Sequence, residues 1–179
     1  MTPRTWARLG LILLMAVVVQ VAILNGIVIA GAHADLFLAL AIAAGLAGGP
    51  QRGAVMAFVT GLVADLFVPT PYGLSALCYV LVAFGVGLAA VLPAGRAPLS
   101  FQLATALVAG VGGTLLYAGL GTLIGQPSIP RHELVSVVTV VTLGCVLFIS
   151  PVYRMLEGTL AAAPGAHHDA ATYVGGSAR

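Results

Sequence analysis

Residues 36–68 read LFLALAIAAGLAGGPQRGAVMAFVTGLVADLFV, and how this stretch divides decides the fold. Two apolar runs, Leu36 to Gly49 and Ala54 to Val68, flank the segment Gly49-Pro50-Gln51-Arg52-Gly53. Neighbouring Gly and Pro mark a turn. A helix of about 15 residues covers only about 22 Å at 1.5 Å per residue, short for a hydrocarbon core of about 30 Å. The pair therefore forms either two short spans or a re-entrant hairpin. The re-entrant form puts Arg52 deep among apolar groups, at a cost of about 2.5–3.5 kcal/mol. Two spans with Arg52 at the surface avoid that cost, with His33 and Asp35 extending the helices toward the interface.

Four more apolar runs lie outside this stretch. Leu9 to Ile29 precedes it, after Arg4 and Arg8. It ends near Ala30-Gly31-Ala32, which resembles a cleavage site, but the run is longer than the roughly 7–15 apolar residues of a signal peptide. It reads as a retained helix. Leu74 to Leu92 follows, closed by Pro93-Ala94-Gly95-Arg96-Ala97-Pro98, and then Phe101 to Gly125, closed by Gln126-Pro127-Ser128-Ile129-Pro130-Arg131. The last run, Leu134 to Ile149, ends near Ser150-Pro151. The expected fold is all-α and polytopic, with about six transmembrane helices in a domain over residues 1–160. Residues 161–179, with Pro164, Gly165, His167 and His168, read as a flexible tail.

Composition agrees. Apolar residues make up 60% of the chain and charged residues 7%, against roughly 25% charged in soluble domains. So few charges cannot cover a water-facing surface, whereas lipid accepts apolar side chains. The net charge of +2 is too small to indicate nucleic acid. Cys78 and Cys145 fall within apolar runs and read as small packed hydrophobes. All basic residues are Arg. With a cytoplasmic N-terminus, the inside segments hold Arg4, Arg8, Arg52, Arg96, Arg154 and Arg179, and the outside segments hold only Arg131. That is the positive-inside bias, and it puts both termini in the cytoplasm of a bacterial inner-membrane protein.

Helices in lipid associate through close approach at small residues. Gly53, Ala57, Gly61 and Asp65 form a stripe at four-residue spacing. Gly45 and Gly49 share that spacing, as do Ala106, Gly110 and Thr114, and Gly121 and Gly125. Such stripes serve either packing within the chain or docking of another membrane protein. Asp65 is the only acid well inside an apolar run, and an ionisable group there invites a functional reading. It either relays protons or substrate, or anchors the following turn by accepting backbone N–H groups. A relay would want a second deep acid, so the anchor is preferred. Gln20 and Asn25 can bond across helices or line a small-molecule site.

Catalytic signatures are absent. There is no phosphate-cradling Gly-rich loop. His132-Glu133-Leu134-Val135-Ser136 lacks the second His of a metalloprotease helix, and Gly73-Leu74-Ser75-Ala76-Leu77 lacks the final Gly of a nucleophile elbow. The chain is expected to be non-enzymatic, with no cofactor or metal.

Gly61-Leu62-Val63-Ala64-Asp65-Leu66-Phe67, followed by Pro71-Tyr72-Gly73-Leu74-Ser75-Ala76-Leu77, resembles the core of the rod shape-determining MreD family. That core is a Gly-rich helix ending in Asp-Leu, a Pro-x-Gly loop, and a helix starting near Ala-Leu. The matching positions are Asp65, Leu66, Pro71, Gly73, Ala76 and Leu77. Pro151 followed by Val152-Tyr153-Arg154-Met155-Leu156 fits the same layout; the tail from Pro164 does not map. The resemblance implies a fold like that of the S-components of vitamin transporters. It also implies a non-enzymatic adaptor of cell-wall elongation, organising peptidoglycan synthesis and cell shape. Its implied partners are an MreC-like scaffold, a RodA-like glycosyltransferase, a class B penicillin-binding protein, MreB and membrane lipid. The alternative is a vitamin-binding transporter subunit. Against it, the first span lacks the Ala-x-x-x-Ala pattern of that group, Ala16 and Ala22 being out of register, and the outer loops offer few polar ligands.

Overall fold

The computed structural model describes residues 3–26, 28, 31–67, 72–90, 97–125 and 130–160. They are all-helical: α1 (Pro3–Ala22), a 3₁₀ turn (Leu24–Gly26), α2 (Leu36–Asp65), α3 (Leu74–Ala89), α4 (Leu99–Leu123) and α5 (Arg131–Leu160). Two stretches are long and apolar enough to cross a membrane: α4 and residues 133–159 of α5. The boundaries depart modestly from the apolar runs. The first run becomes α1 plus the 3₁₀ turn, and α5 continues through Pro151 to Leu160.

The helix assigned to α2 is two limbs folded back on each other. Gly49 breaks it with φ 71° and ψ −175°, a region only glycine enters readily. Pro50, which has no N–H to donate, starts the second limb. The fold-back is proved by distance. A Cβ on Gly53 would lie 2.7 Å from the Gly45 Cα, whereas positions eight apart on a straight helix are separated by about 12 Å. The division between the two runs is therefore a sharp helical hairpin.

We call the Gly49-Pro50 side of the bundle the hinge end and the opposite side the cap end. The second limb of α2 pairs antiparallel with α3: Gly61 meets Ala76 toward the cap end, and Gly87 meets Pro50 at the hinge end. A Cβ on either glycine would fall within 2.6 Å of partner backbone. The first limb is the core of the bundle, with Ala39, Ala41, Ile42 and Ala43 wholly buried. α4 and α5 form a second antiparallel pair. Gly110 lies against Thr142, and the Ala97 N–H donates to the Tyr153 hydroxyl at 3.3 Å.

Helix lengths are unequal, and this positions the site. Gly144 of α5 lies against Ala34, just before α2 begins, and Gly113 of α4 lies against Leu38 and Val82. Residues 131–143 of α5, about 20 Å of helix, and residues 116–123 of α4, about 12 Å, therefore run on past the start of α2. They form a wall at the cap end.

Candidate functional site

Three polar side chains organise the cap end, each securing a helix start. The first four N–H groups of any helix lack partners within it. For α3 the supplier is Asp65, at the end of α2: Oδ2 accepts the Gly73 N–H at 2.7 Å and Oδ1 accepts the Ser75 N–H at 3.1 Å. Gly73 itself has φ 97° and no side chain to offer. Asp65 is 2% exposed, so its charge is met by backbone donors and the helix dipole. This is the anchor geometry that its place before the turn suggests.

For α2 the suppliers are Asp35 and Gln20. Asp35 is the N-cap, its Oδ1 accepting the Leu38 N–H at 3.1 Å. Its Oδ2 accepts the Tyr79 hydroxyl at 2.6 Å, tying α2 to α3. Gln20 reaches across from α1: Oε1 accepts the Leu36 N–H at 2.9 Å, and Nε2 donates to the Ala34 carbonyl at 3.1 Å. The bonding across helices anticipated for Gln20 is thus present; the Asn25 side chain lies outside what the structure describes.

Between these anchors and the α4–α5 wall lies a cavity of about 590 Å³. Its polar side is Gln20, Asp35, Ser75 and Tyr79, with Thr114 and Tyr117 from α4. Its apolar side includes Phe37, Phe67 and Val141. The sequence reading found few polar ligands because it looked in the loops. The polar groups come from helix starts and from within α1, α3 and α4, brought together by the fold.

The remaining candidates divide cleanly. Gly53, Ala57 and Gly61 are buried, so this stripe serves the chain's own packing. Ala76 is 1% exposed and receives Gly61. Leu66 and Leu77 point outward, at 68% and 48% exposed. Pro71 lies outside the described residues, as do Arg96, His167, His168 and the tail from residue 161. Three close approaches escaped sequence reading: Gly87 on Pro50, Gly113 on Leu38 and Gly144 on Ala34. None belongs to a marked four-residue stripe. Tyr79 was equally hidden, one aromatic in an apolar run. Asp35 did carry a signal, an N-cap residue type directly before a helix. Among the described residues no group of three or more His, Cys, Asp or Glu is placed to hold a metal ion. Comparison with protein-family models, curated proteins and solved structures returned no match.

Proposed function

We propose that the chain is an MreD-like, non-enzymatic adaptor of the bacterial cytoplasmic membrane. It spans the bilayer about six times, with both termini in the cytoplasm, and helps organise peptidoglycan synthesis by docking with an MreC-like scaffold and the wall synthases. The observation that carries this reading is the joint between α2 and α3. Three of the matching positions meet there: Ala76 receives Gly61, and Asp65 holds the start of α3 through Gly73, with Ser75 beside it. A motif that builds a joint specifies a scaffold.

Exposed surface supports the membrane setting. Leu11, Leu14, Leu107, Val108, Leu143 and Leu147 are each more than half exposed on α1, α4 and α5. Apolar surface on that scale marks contact with lipid or a partner. Because the Gly53–Gly61 stripe is enclosed, docking falls to these outward faces, Leu66 and Leu77 among them.

The test is affinity purification of the tagged chain from mild-detergent membranes, with mass spectrometry of what accompanies it. Recovery of an MreC-like protein and wall synthases supports the adaptor. Recovery of transporter ATPase subunits instead overturns it in favour of a transporter subunit. Recovery of the chain in the soluble fraction overturns the membrane setting itself.

A further inference from the structure

We propose that the cap-end cavity is a binding site for a protonated amine carried on an apolar body, with the ammonium group against Asp35 and the body beside Phe37, Phe67 and Val141. The inference does not rest on the adaptor reading, which concerns the outer faces of the bundle.

The site is built rather than left over. Asp35 is fixed from two sides, by the Leu38 N–H and the Tyr79 hydroxyl, and each bond takes one carboxylate oxygen. An ionised carboxylate has about four lone-pair sites, so both oxygens keep acceptor capacity. Ser75 Oγ and the Tyr117 hydroxyl also line the cavity, and neither has a hydrogen-bond partner among the described residues. Tyr79 is 7% and Ser75 3% exposed, and Asp35 is half-buried beside them. Among the described residues no Arg or Lys lines the cavity, and the basic side chain that does is His33, which is exposed.

These facts select the chemistry. An anionic ligand would meet the Asp35 carboxylate with no Arg or Lys among the described lining residues to pair with. A purely apolar ligand would leave the spare acceptor capacity of Asp35 and the Ser75 and Tyr117 hydroxyls unanswered, which is costly. A donor-bearing cation satisfies both, because hydrogen bonds to ionised acceptors are the strong ones. The volume of about 590 Å³ lies within the range of small-molecule sites, and the aromatic and aliphatic lining suits an alkyl or ring body. Two sources carry this chemistry: an aminophospholipid of the surrounding membrane, and a free amphiphilic amine.

The test uses the full chain purified in mild detergent. Thermal unfolding is followed with n-decylamine, n-decanol and n-decanoate, and then in phosphatidylglycerol nanodiscs with and without phosphatidylethanolamine. The expected result is a raised midpoint with decylamine, with phosphatidylethanolamine, or with both, and none with decanol or decanoate. A response to phosphatidylethanolamine assigns the lipid source, and a response to decylamine alone assigns a free amine. Asp35→Asn keeps an N-cap oxygen for the Leu38 N–H and presents an amide N–H to the Tyr79 hydroxyl oxygen in place of an acceptor, and it weakens amine binding by about tenfold or more. Val137→Trp fills the apolar side while leaving the polar corner intact, and it also abolishes the response. That variant decides the matter if Asp35→Asn fails to fold. Equal responses to the three decyl probes overturn the proposal. So does an unaltered response in a folded Asp35→Asn protein, or the lack of any response to both amines.

Discussion

Gly53 rests on Gly45 so closely that a Cβ on the first would sit 2.7 Å from the Cα of the second and 2.9 Å from its nitrogen. The hairpin at Gly49-Pro50 closes on this contact, and every obstacle to a larger residue is backbone. Gly53→Leu is therefore expected to lower the unfolding midpoint in detergent sharply and to reduce accumulation in cells. Overpacking of this kind costs about 1–3 kcal/mol or more. Gly61→Leu, facing the Ala76 backbone, should behave alike. Normal accumulation and a normal midpoint in either variant would remove the small-residue stripe from the account of packing.

Asp65 acts as an acceptor for Gly73 and Ser75. Asp65→Asn keeps one acceptor oxygen, whereas Asp65→Leu keeps none and strands two donors, the Ser75 N–H buried and the Gly73 N–H partly so. Loss of hydrogen bonds to a charged group costs about 1.5–3 kcal/mol each. Asp65→Leu should therefore be clearly worse than Asp65→Asn in thermal stability and in partner recovery. Equal damage from both would show that the charge itself is required.

The 2.6 Å bond from Tyr79 to Asp35 links α3 to the start of α2. Tyr79→Phe should destabilise by about 1 kcal/mol or more by leaving a partly buried acceptor short of a donor. Combined with Asp35→Asn, the effects should fall short of additive, as they do for residues in direct contact. Strict additivity in a double-mutant cycle would mean that the two groups act separately.

Gly49 is demanding for its backbone and Gly85 is not. Gly49 has φ 71° with nothing within 4 Å of a built Cβ, while Gly85 lies within α3 with equally open space. Gly49→Ala should cost about 1–3 kcal/mol through strain alone, and Gly85→Ala should be neutral or stabilising by about 0.4–1 kcal/mol. Melting curves of the two variants, side by side, check this. Similar midpoints would mean that the hairpin turn relaxes to another conformation.

Arg52 is half-buried at the hinge end, and both native cysteines are buried. In Arg52→Cys the introduced thiol should react with an impermeant maleimide only when the cytoplasmic face is accessible. Labelling from outside intact cells would invert the proposed topology.

The helical class, the turn at residues 49–53 and the anchoring place of Asp65 were legible because each depends on local signals: run length, Gly-Pro punctuation, and an acid placed just before a loop. The stripe Gly53, Ala57, Gly61 was legible as a packing face for the same reason, since four-residue spacing fixes one side of a helix. Which backbone it meets was not, because that depends on the fold-back angle and on the register of α3 against α2.

By itself, then, the sequence determined that this chain is helical, that it turns at residues 49–53, and that it is unusually apolar. Only the tertiary structure decided that residues 36–65 close into a hairpin whose glycines touch. It also decided that Gln20, Asp35, Ser75, Tyr79 and Tyr117 gather around one cavity. The reason is range. Helix propensity and termination act over a turn or two of chain. The cavity arises because α4 and α5 are longer than the helices they pack against, and a difference in length becomes a space only after the helices are side by side.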